Sequence, residues 1–243
     1  MITVFWGARH GQGVTTTLVL TALALIAAGQ KVRVVDADPD SADIALFHQQ
    51  DASSQIDSLL EDAERQDVKW PAWTPWYSGT PALLGNPKRQ FPATASAEAA
   101  QRFVAALKAV DEADVHILCD IGSGQRDYLT VAMLSAAERV AVVSGTDLPD
   151  GVATQAALRY IAPRLAAQDK VLVLVGQGSA TAEILRDAGD WRAVKVQKTP
   201  QAARMRVNGQ VTPQKGSEFL AVVMSDGAAA GKGRGGWRSR KVG

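Results

Sequence analysis

The chain has 243 residues, enough for one large α/β domain, and its 47% hydrophobic and 21% charged residues are a globular composition. One cysteine, Cys119, excludes an intrachain disulfide and any Cys-x-x-Cys metal or iron–sulfur site, and it fits a reducing, cytoplasmic setting. The net charge of +1 hides an asymmetry: residues 232–243 carry Lys232, Arg234, Arg238, Arg240 and Lys241 and no acid, which leaves 21 basic against 25 acidic residues in 1–231, a charge of −4.

In chain order, an apolar strand over 2–6 runs into a loop that holds Gly7, Gly11 and Gly13. Thr15, Thr16 and Thr17 then open an apolar helix predicted over 15–28. Leu18–Ala28, after Arg9 and His10, superficially resembles a secretory signal. A strand precedes it, threonines interrupt it, and it stops at Gly29, too short to span a bilayer, so it reads as a helix buried under a sheet. A second strand, 32–36, ends in Asp36, with Asp38 just beyond. Residues 68–92 place Trp70, Trp73, Trp76 and Tyr77 among several prolines, in a rim loop that leads to a short strand at Pro81–Leu84. These aromatics read first as a brace over the sheet edge and second as a partner-binding surface.

Further strands are expected at 115–120, 139–144, 171–175 and 193–197, and helices at 96–110, 127–137, 150–166, 180–188 and 214–224. His116 and Cys119 read as core fillers, and Glu138 with Arg139 as a solvated turn. Near-continuous apolar strands separated by helices predict an α/β fold, a doubly wound, mainly parallel sheet with helices on both faces. The expected division is one domain over 1–224 and a Gly-rich basic tail over 225–243, disordered by composition.

The loop after the first strand has most parts of a phosphate-binding loop. The full motif G-x-x-x-x-G-K-[ST] would place glycine at position 8 and lysine at 14, where this chain has Ala8 and Val14. Its glycines let backbone N–H groups curl around a phosphate, and the start of the next helix adds unpaired donors. Thr15 sits where a hydroxyl ligates Mg²⁺, and Thr16 where one reaches an α-phosphate. One lost charge-assisted hydrogen bond removes roughly 1.5–3 kcal/mol, about ten- to a hundredfold in affinity. A cation at the transferring phosphoryl group matters more for rate, of order 10³–10⁵ for an arginine finger. Binding can therefore survive where hydrolysis does not. The loop alone also reads as a plain strand-to-helix turn.

Asp36 and Asp38 follow the second strand, and Asp120 ends VHILCD ahead of the glycine-rich IGSG, a segment able to move with a γ-phosphate. Each acid alone reads as a strand end or a helix cap. Together, behind a phosphate-type loop and at the carboxyl ends of parallel strands, they point to one ligand site.

With these residues in view the chain resembles the ParA/MinD family of deviant Walker-A ATPases, a P-loop NTPase-like fold of the SIMIBI type. That family carries K-G-G-x-G-K-[ST]-[ST], then D-x-D-x-Q, then an apolar run ending in Asp. Here the first motif falls on Arg9, His10, Gly11, Gln12, Gly13, Val14, Thr15 and Thr16. The second falls on Asp36, Ala37, Asp38, Pro39 and Asp40, and the third on Ile117, Leu118, Cys119 and Asp120. The resemblance covers residues 1–224, and DADPDSADIALFH with PALLGNP looks most like the CpaE/TadZ-like pilus-localisation branch.

The resemblance implies ATP or ADP with Mg²⁺. Gly11, Gln12, Gly13, Val14, Thr15, Thr16 and Asp120 would line the nucleotide, and Thr15, Asp36, Asp38 and Asp120 the metal. Asp36 would activate water, and Arg9 takes the place of the signature lysine that reaches across a homodimer. Arg9 keeps that lysine's charge but not its shape, Val14 keeps neither feature of the Walker lysine, and His10 replaces the first glycine of the pair. Base contacts are expected near Gly176-Gln177 and Thr199-Pro200. The implied function is a positioning switch that binds ATP, dimerises and recruits a localisation, pilus or partition partner, with hydrolysis slow or absent. Two alternatives stand: a nucleotide-independent pseudo-ATPase scaffold, and a DNA or anionic-membrane binder acting through 232–243, where Trp237 sits among the basic residues.

Overall fold

The computed structural model describes residues 1–38, 40–46, 55–85, 95–124, 127–161, 163, 165, 169–176, 178, 184, 189–197 and 218–224. The tail 225–243, residues 214–217 and most of the helix predicted at 180–188 lie outside the described residues. So do Gln177, Thr199 and Pro200, three of the four expected base-contact residues.

The elements run β1 (Ile2–Gly7), α1 (Val14–Ala27), β2 (Lys31–Asp36), α2 (Asp43–Leu46), α3 (Gln55–Glu64), β3 (Thr74–Pro75) and β4 (Pro81–Leu83). They continue with α4 (Ala97–Ala109), β5 (Val115–Ser123), α5 (Tyr128–Ala136), β6 (Arg139–Gly145), α6 (Leu148–Ile161), β7 (Asp169–Val175), β8 (Arg192–Val196) and α7 (Leu220–Val223). One eight-stranded sheet has the order β3-β4-β2-β5-β1-β6-β7-β8. Every pair is parallel except β3 with β4. The fold class expected from the apolar strand runs is the one observed. α3 was not expected, although Ile56, Leu59, Leu60 and Ala63 fall at helical spacing, and neither was β3, whose two residues hold too little pattern.

The central strands β1, β5 and β6 bury both faces, so two cores form, while the edge strands β3 and β8 are partly exposed. On one side Ile56 and Leu59 of α3, Phe103 and Leu107 of α4, Leu129 and Met133 of α5 and Leu158 of α6 pack on Val4, Ile117 and Cys119. On the other, Leu18 and Leu25 of α1 and Val222 of α7 pack on Phe5, Val34, Leu118 and Val143. This explains why Leu18–Ala28 has the apolar density of a signal segment: α1 is buried from Leu18 to Leu25, covered by sheet on one side and helix on the other.

The tryptophan-rich segment is a brace. Trp76 is buried, and Trp70 and Trp73 pack on the α3–α4 core. The Trp70 ring lies 5.6 Å from Trp73 and 6.3 Å from Phe103, and the Arg33 guanidinium sits 5.1 Å over Trp73. The solvated turn read at Glu138–Arg139 needs correction. Glu138 is exposed, but Arg139 opens β6 with its side chain buried, held by a 2.7 Å ion pair to Asp169 on the neighbouring strand. A long apolar stem capped by a paired guanidinium can begin a buried strand.

Phe103 is fully buried where α4, the Trp70 brace and the sheet meet. Phe103→Ala is expected to cost about 3–5 kcal/mol in urea unfolding. A loss below about 1 kcal/mol would mean that this junction does not hold the sheet edge.

Candidate phosphate and cation site

The site lies at the carboxyl ends of β1, β2 and β5, three strands that are neighbours only through the sheet order. Asp36 and Asp120 are register partners on β2 and β5, and Gly7 is the register partner of Ser123. Residues far apart in sequence therefore meet at one edge.

The loop from Ala8 to Gly13 turns on two left-handed glycines, Gly11 at φ 82° and Gly13 at φ 89°. Gly13 caps α1 without a side-chain hydrogen bond, and the first turn of α1 carries no acid. Its amides keep their donor capacity for an anion. Gly7 is sterically required: a Cβ there would lie 2.7 Å from Val14 Cγ2 and 3.2 Å from Ser123 Cβ. Val14 is thus buried against the loop's base and belongs to the core.

Gln12 also points inward. It is buried, its Oε1 accepts from the Arg9 amide at 3.1 Å, and its Nε2 donates to Thr154 Oγ1 on α6 at 3.3 Å. Thr154 in turn shares a 2.7 Å hydrogen bond with Ser144 at the end of β6. The carboxamide takes one loop amide and ties the loop to α6. The Arg9 guanidinium pairs with Asp150 of the same chain at 3.4 Å. Asp150 has room because β6 ends in Gly145, where a Cβ would lie 1.9 Å from its carboxylate. His10 reaches Ser123 Oγ through Nδ1 at 3.1 Å and Asp40 Oδ2 through Nε2 at 3.7 Å. Thr15 and Thr16 are half-buried in the first turn of α1.

The three aspartates are buried and differ in their contacts. Asp38 holds the turn after β2: its carboxylate accepts from the Asp40 amide at 2.9 Å and from Ser41 Oγ at 2.7 Å. It lies against Gly122, at φ 69°, where a Cβ would come 2.4 Å from Asp38 Oδ1. Asp36 accepts from the Ile44 amide at 3.2 Å, and its Oδ1 is buried without a partner. Asp120 accepts from the Gly122 amide at 2.9 Å, and its Oδ2 is likewise buried without a partner in ordinary hydrogen-bond geometry.

Burial, then the repulsion of Asp120, Asp38 and Asp43, pushes the Asp36 carboxyl well above its ordinary range. Burial, and then the charge of Asp38, pushes Asp120 up to about 7, while the nearby Thr15 hydroxyl offsets part of that rise. Burial raises Asp38 as well, against the hydrogen bond from Ser41.

Two orphaned carboxylate oxygens beside a threonine hydroxyl fit a hard cation. Among the described residues no three Asp, Glu, His or Cys side chains converge to cage a metal. A magnesium ion here would take most of its oxygens from phosphate and water, which is its usual preference.

The fold has known counterparts. A ParA family ATPase from Chlorobium tepidum superposes with a TM-score of 0.70 at 15% identity, covering 91% of this chain and 94% of the other. The fold is that of the ParA/MinD ATPases. The septum site-determining protein MinD from Pyrococcus horikoshii, solved with Mg-ADP, gives a TM-score of 0.68 at 19% identity over 91% of each chain. An ATP complex of a variant McdA from Cyanothece gives 0.66 at 16% identity, over 91% of this chain and 95% of the other. No protein-family model and no curated protein sequence matches the chain. Among the described residues no helix of this ParA/MinD fold is long and apolar enough to cross a membrane.

Sequence reasoning brought Asp36, Asp120, Thr15 and the loop to one edge of this fold. It missed the inward turn of Gln12, the His10 contacts, and Asp150 as the partner of Arg9. A glutamine inside a glycine loop carries no signal of which way it points. A carboxylate one residue after Pro149 reads as an ordinary helix start.

The raised Asp120 carboxyl sets a pH dependence. Near pH 4 the unfolded chain begins to lose this proton, whereas folded Asp120 holds it up to about 7. Folding therefore takes up a proton in this window, and stability falls as pH rises through it. The full loss is on the order of 4 kcal/mol. Urea unfolding of wild type at pH 4.5 and 7.5 should show the decline, with Asp36 adding to it in the same direction. Asp120→Asn should flatten it, and an undiminished decline in that variant would place its origin elsewhere.

Proposed function

We propose that the protein is a ParA/MinD-type positioning switch that binds ATP with Mg²⁺, dimerises on binding, and hydrolyses slowly or not at all. One observation carries this reading above all: Asp36 and Asp120 bury partnerless carboxylate oxygens side by side at the mouth of a phosphate-type loop. Buried carboxylates without a cation are costly, so their retention fits a site that fills. Thr15, Asp36 and Asp120 would hold the magnesium ion, Asp38 would shape the adjoining turn, and Gly11, Gly13, Thr16 and the α1 amides would hold phosphate. When bound, magnesium supplies charge neutralisation between phosphate oxygens. Asp36 would orient water.

The fold supports a switch of the kind found in partition and division ATPases. Within it, the wording of the DADPDSADIALFH segment favours a CpaE/TadZ-like pilus or localisation partner. We place the protein in the cytoplasm, with DNA or an anionic membrane as the surface that residues 232–243 would meet.

A second reading has its own observation. Val14 is core, and Gln12 occupies a loop amide that a phosphate would otherwise use. Both fit a pseudo-ATPase scaffold in which the loop is held by the protein itself.

Calorimetric titration of ATP and Mg²⁺, with molar mass read by light scattering in the same buffers, separates the two. The switch predicts saturable heat and a monomer-to-dimer shift, with the shift lost in Asp36→Asn. A scaffold predicts no heat at millimolar ATP and a mass that neither nucleotide nor Asp36→Asn changes.

A further inference from the structure

The nucleotide reading leaves one problem open: which side chain supplies positive charge to the phosphates. Position 14 cannot, because Val14 packs on Gly7 inside the core. The Arg9 guanidinium is turned to Asp150 at 3.4 Å. His10 remains, and its side chain is 73% exposed on the loop.

The position of His10 is specific. Nδ1 lies 3.1 Å from Ser123 Oγ, three residues beyond Asp120. Nε2 lies 3.7 Å from Asp40 Oδ2, two residues beyond Asp38. The imidazole therefore joins the phosphate loop to both segments that carry the acidic residues. A phosphate held by that loop, with a cation at Thr15, Asp36 and Asp120, would lie among these same three segments. The Ser–His–Asp order is not a hydrolytic triad: Ser123 is buried, and the next amide, Gly124 N–H, is taken by Gly7 O at 2.8 Å.

We propose that His10 is the phosphate-binding cation of this site, and that the loop gains its charge only when the imidazole is protonated. The inference rests on the nucleotide reading above. The groups that face His10 are Asp40 and, beneath it, Asp38 on the turn after β2, Ser123 at the end of β5, and Arg9 beside it, itself held by Asp150 of α6. Asp40 faces the ring, but at 3.7 Å it is a loose partner. An incoming phosphate offers more charge and takes its place. Imidazole carries charge only when protonated, so the contribution of His10 to nucleotide affinity grows toward acid pH.

The test is titration of a fluorescent ATP analogue with Mg²⁺ at pH 5.5 and 8.5, with far-ultraviolet circular dichroism confirming the fold at both. Relative to His10→Asn, which keeps a hydrogen-bonding group without the charge, wild type should gain about tenfold in affinity on going from pH 8.5 to 5.5, the worth of one charge-assisted hydrogen bond. His10→Lys should exceed His10→Asn by about that factor at both values. Protonation of ATP itself and of the buried aspartates acts on all three proteins and cancels in the comparison. If wild type and His10→Asn change affinity by the same factor between the two pH values, the proposal is overturned while nucleotide binding stands. If neither wild type nor His10→Lys binds at either pH, the nucleotide reading fails and takes the proposal with it.

Discussion

The constraint on which the rest of the site depends is the pairing of two acidic strand ends. β2 and β5 run parallel in a register that sets Asp36 beside Asp120 in a fully buried position. Like charges in a low-dielectric interior repel; Asp36 keeps one oxygen without a donor, and the second oxygen of Asp120 has only the nearby Thr15 hydroxyl, outside ordinary hydrogen-bond geometry. A protein built only to hold its fold gains nothing from such a pair, since apolar residues of similar volume would be as stable or more so. Either protons or a cation must offset the repulsion. The glycine loop and Thr15 lie where a phosphate-bound cation would do so.

Around that pair, the loop keeps the shape of a phosphate loop after losing its lysine, and packing explains how. Gly7, Val14 and Ser123 interlock at the base, so the loop's path is fixed by the core. Gln12 and Thr154 fix it again from the α6 side. Neither contact needs a ligand. The loop is therefore preorganised, which lowers the ordering cost of binding. The same preorganisation takes the Arg9 amide out of the set of free donors. Affinity then turns on the donors that remain and on charge, and the loop's exposed basic side chains are Arg9 and His10.

Much of the fold was legible because its central strands are buried on both faces. Val140–Val143 and Val171–Val175 are apolar runs, Val32–Val35 is one broken only by Arg33, and their alternation with helical stretches leaves a parallel sheet as the economical solution. The two-residue β3 was not legible, because its pairing is decided by a long-range partner, whereas α3 was legible in the spacing of Ile56, Leu59, Leu60 and Ala63 and was overlooked. Arg139 misled for a related reason. A charged residue reads as solvent-facing unless one knows that Asp169 waits on the next strand.

By itself the sequence determined the elements, the glycine positions that permit the loop, and the acids that end the strands. These follow from local steric freedom and hydrophobic period, which short windows contain. Only the tertiary structure decided which groups face which. Sheet order placed β1 between β5 and β6, and so brought loop, Asp36 and Asp120 to one edge. Packing decided that Val14 and Gln12 turn inward, that Arg9 meets Asp150, and that His10 spans Ser123 and Asp40. Side-chain direction depends on neighbours remote in the chain, and no local pattern records them.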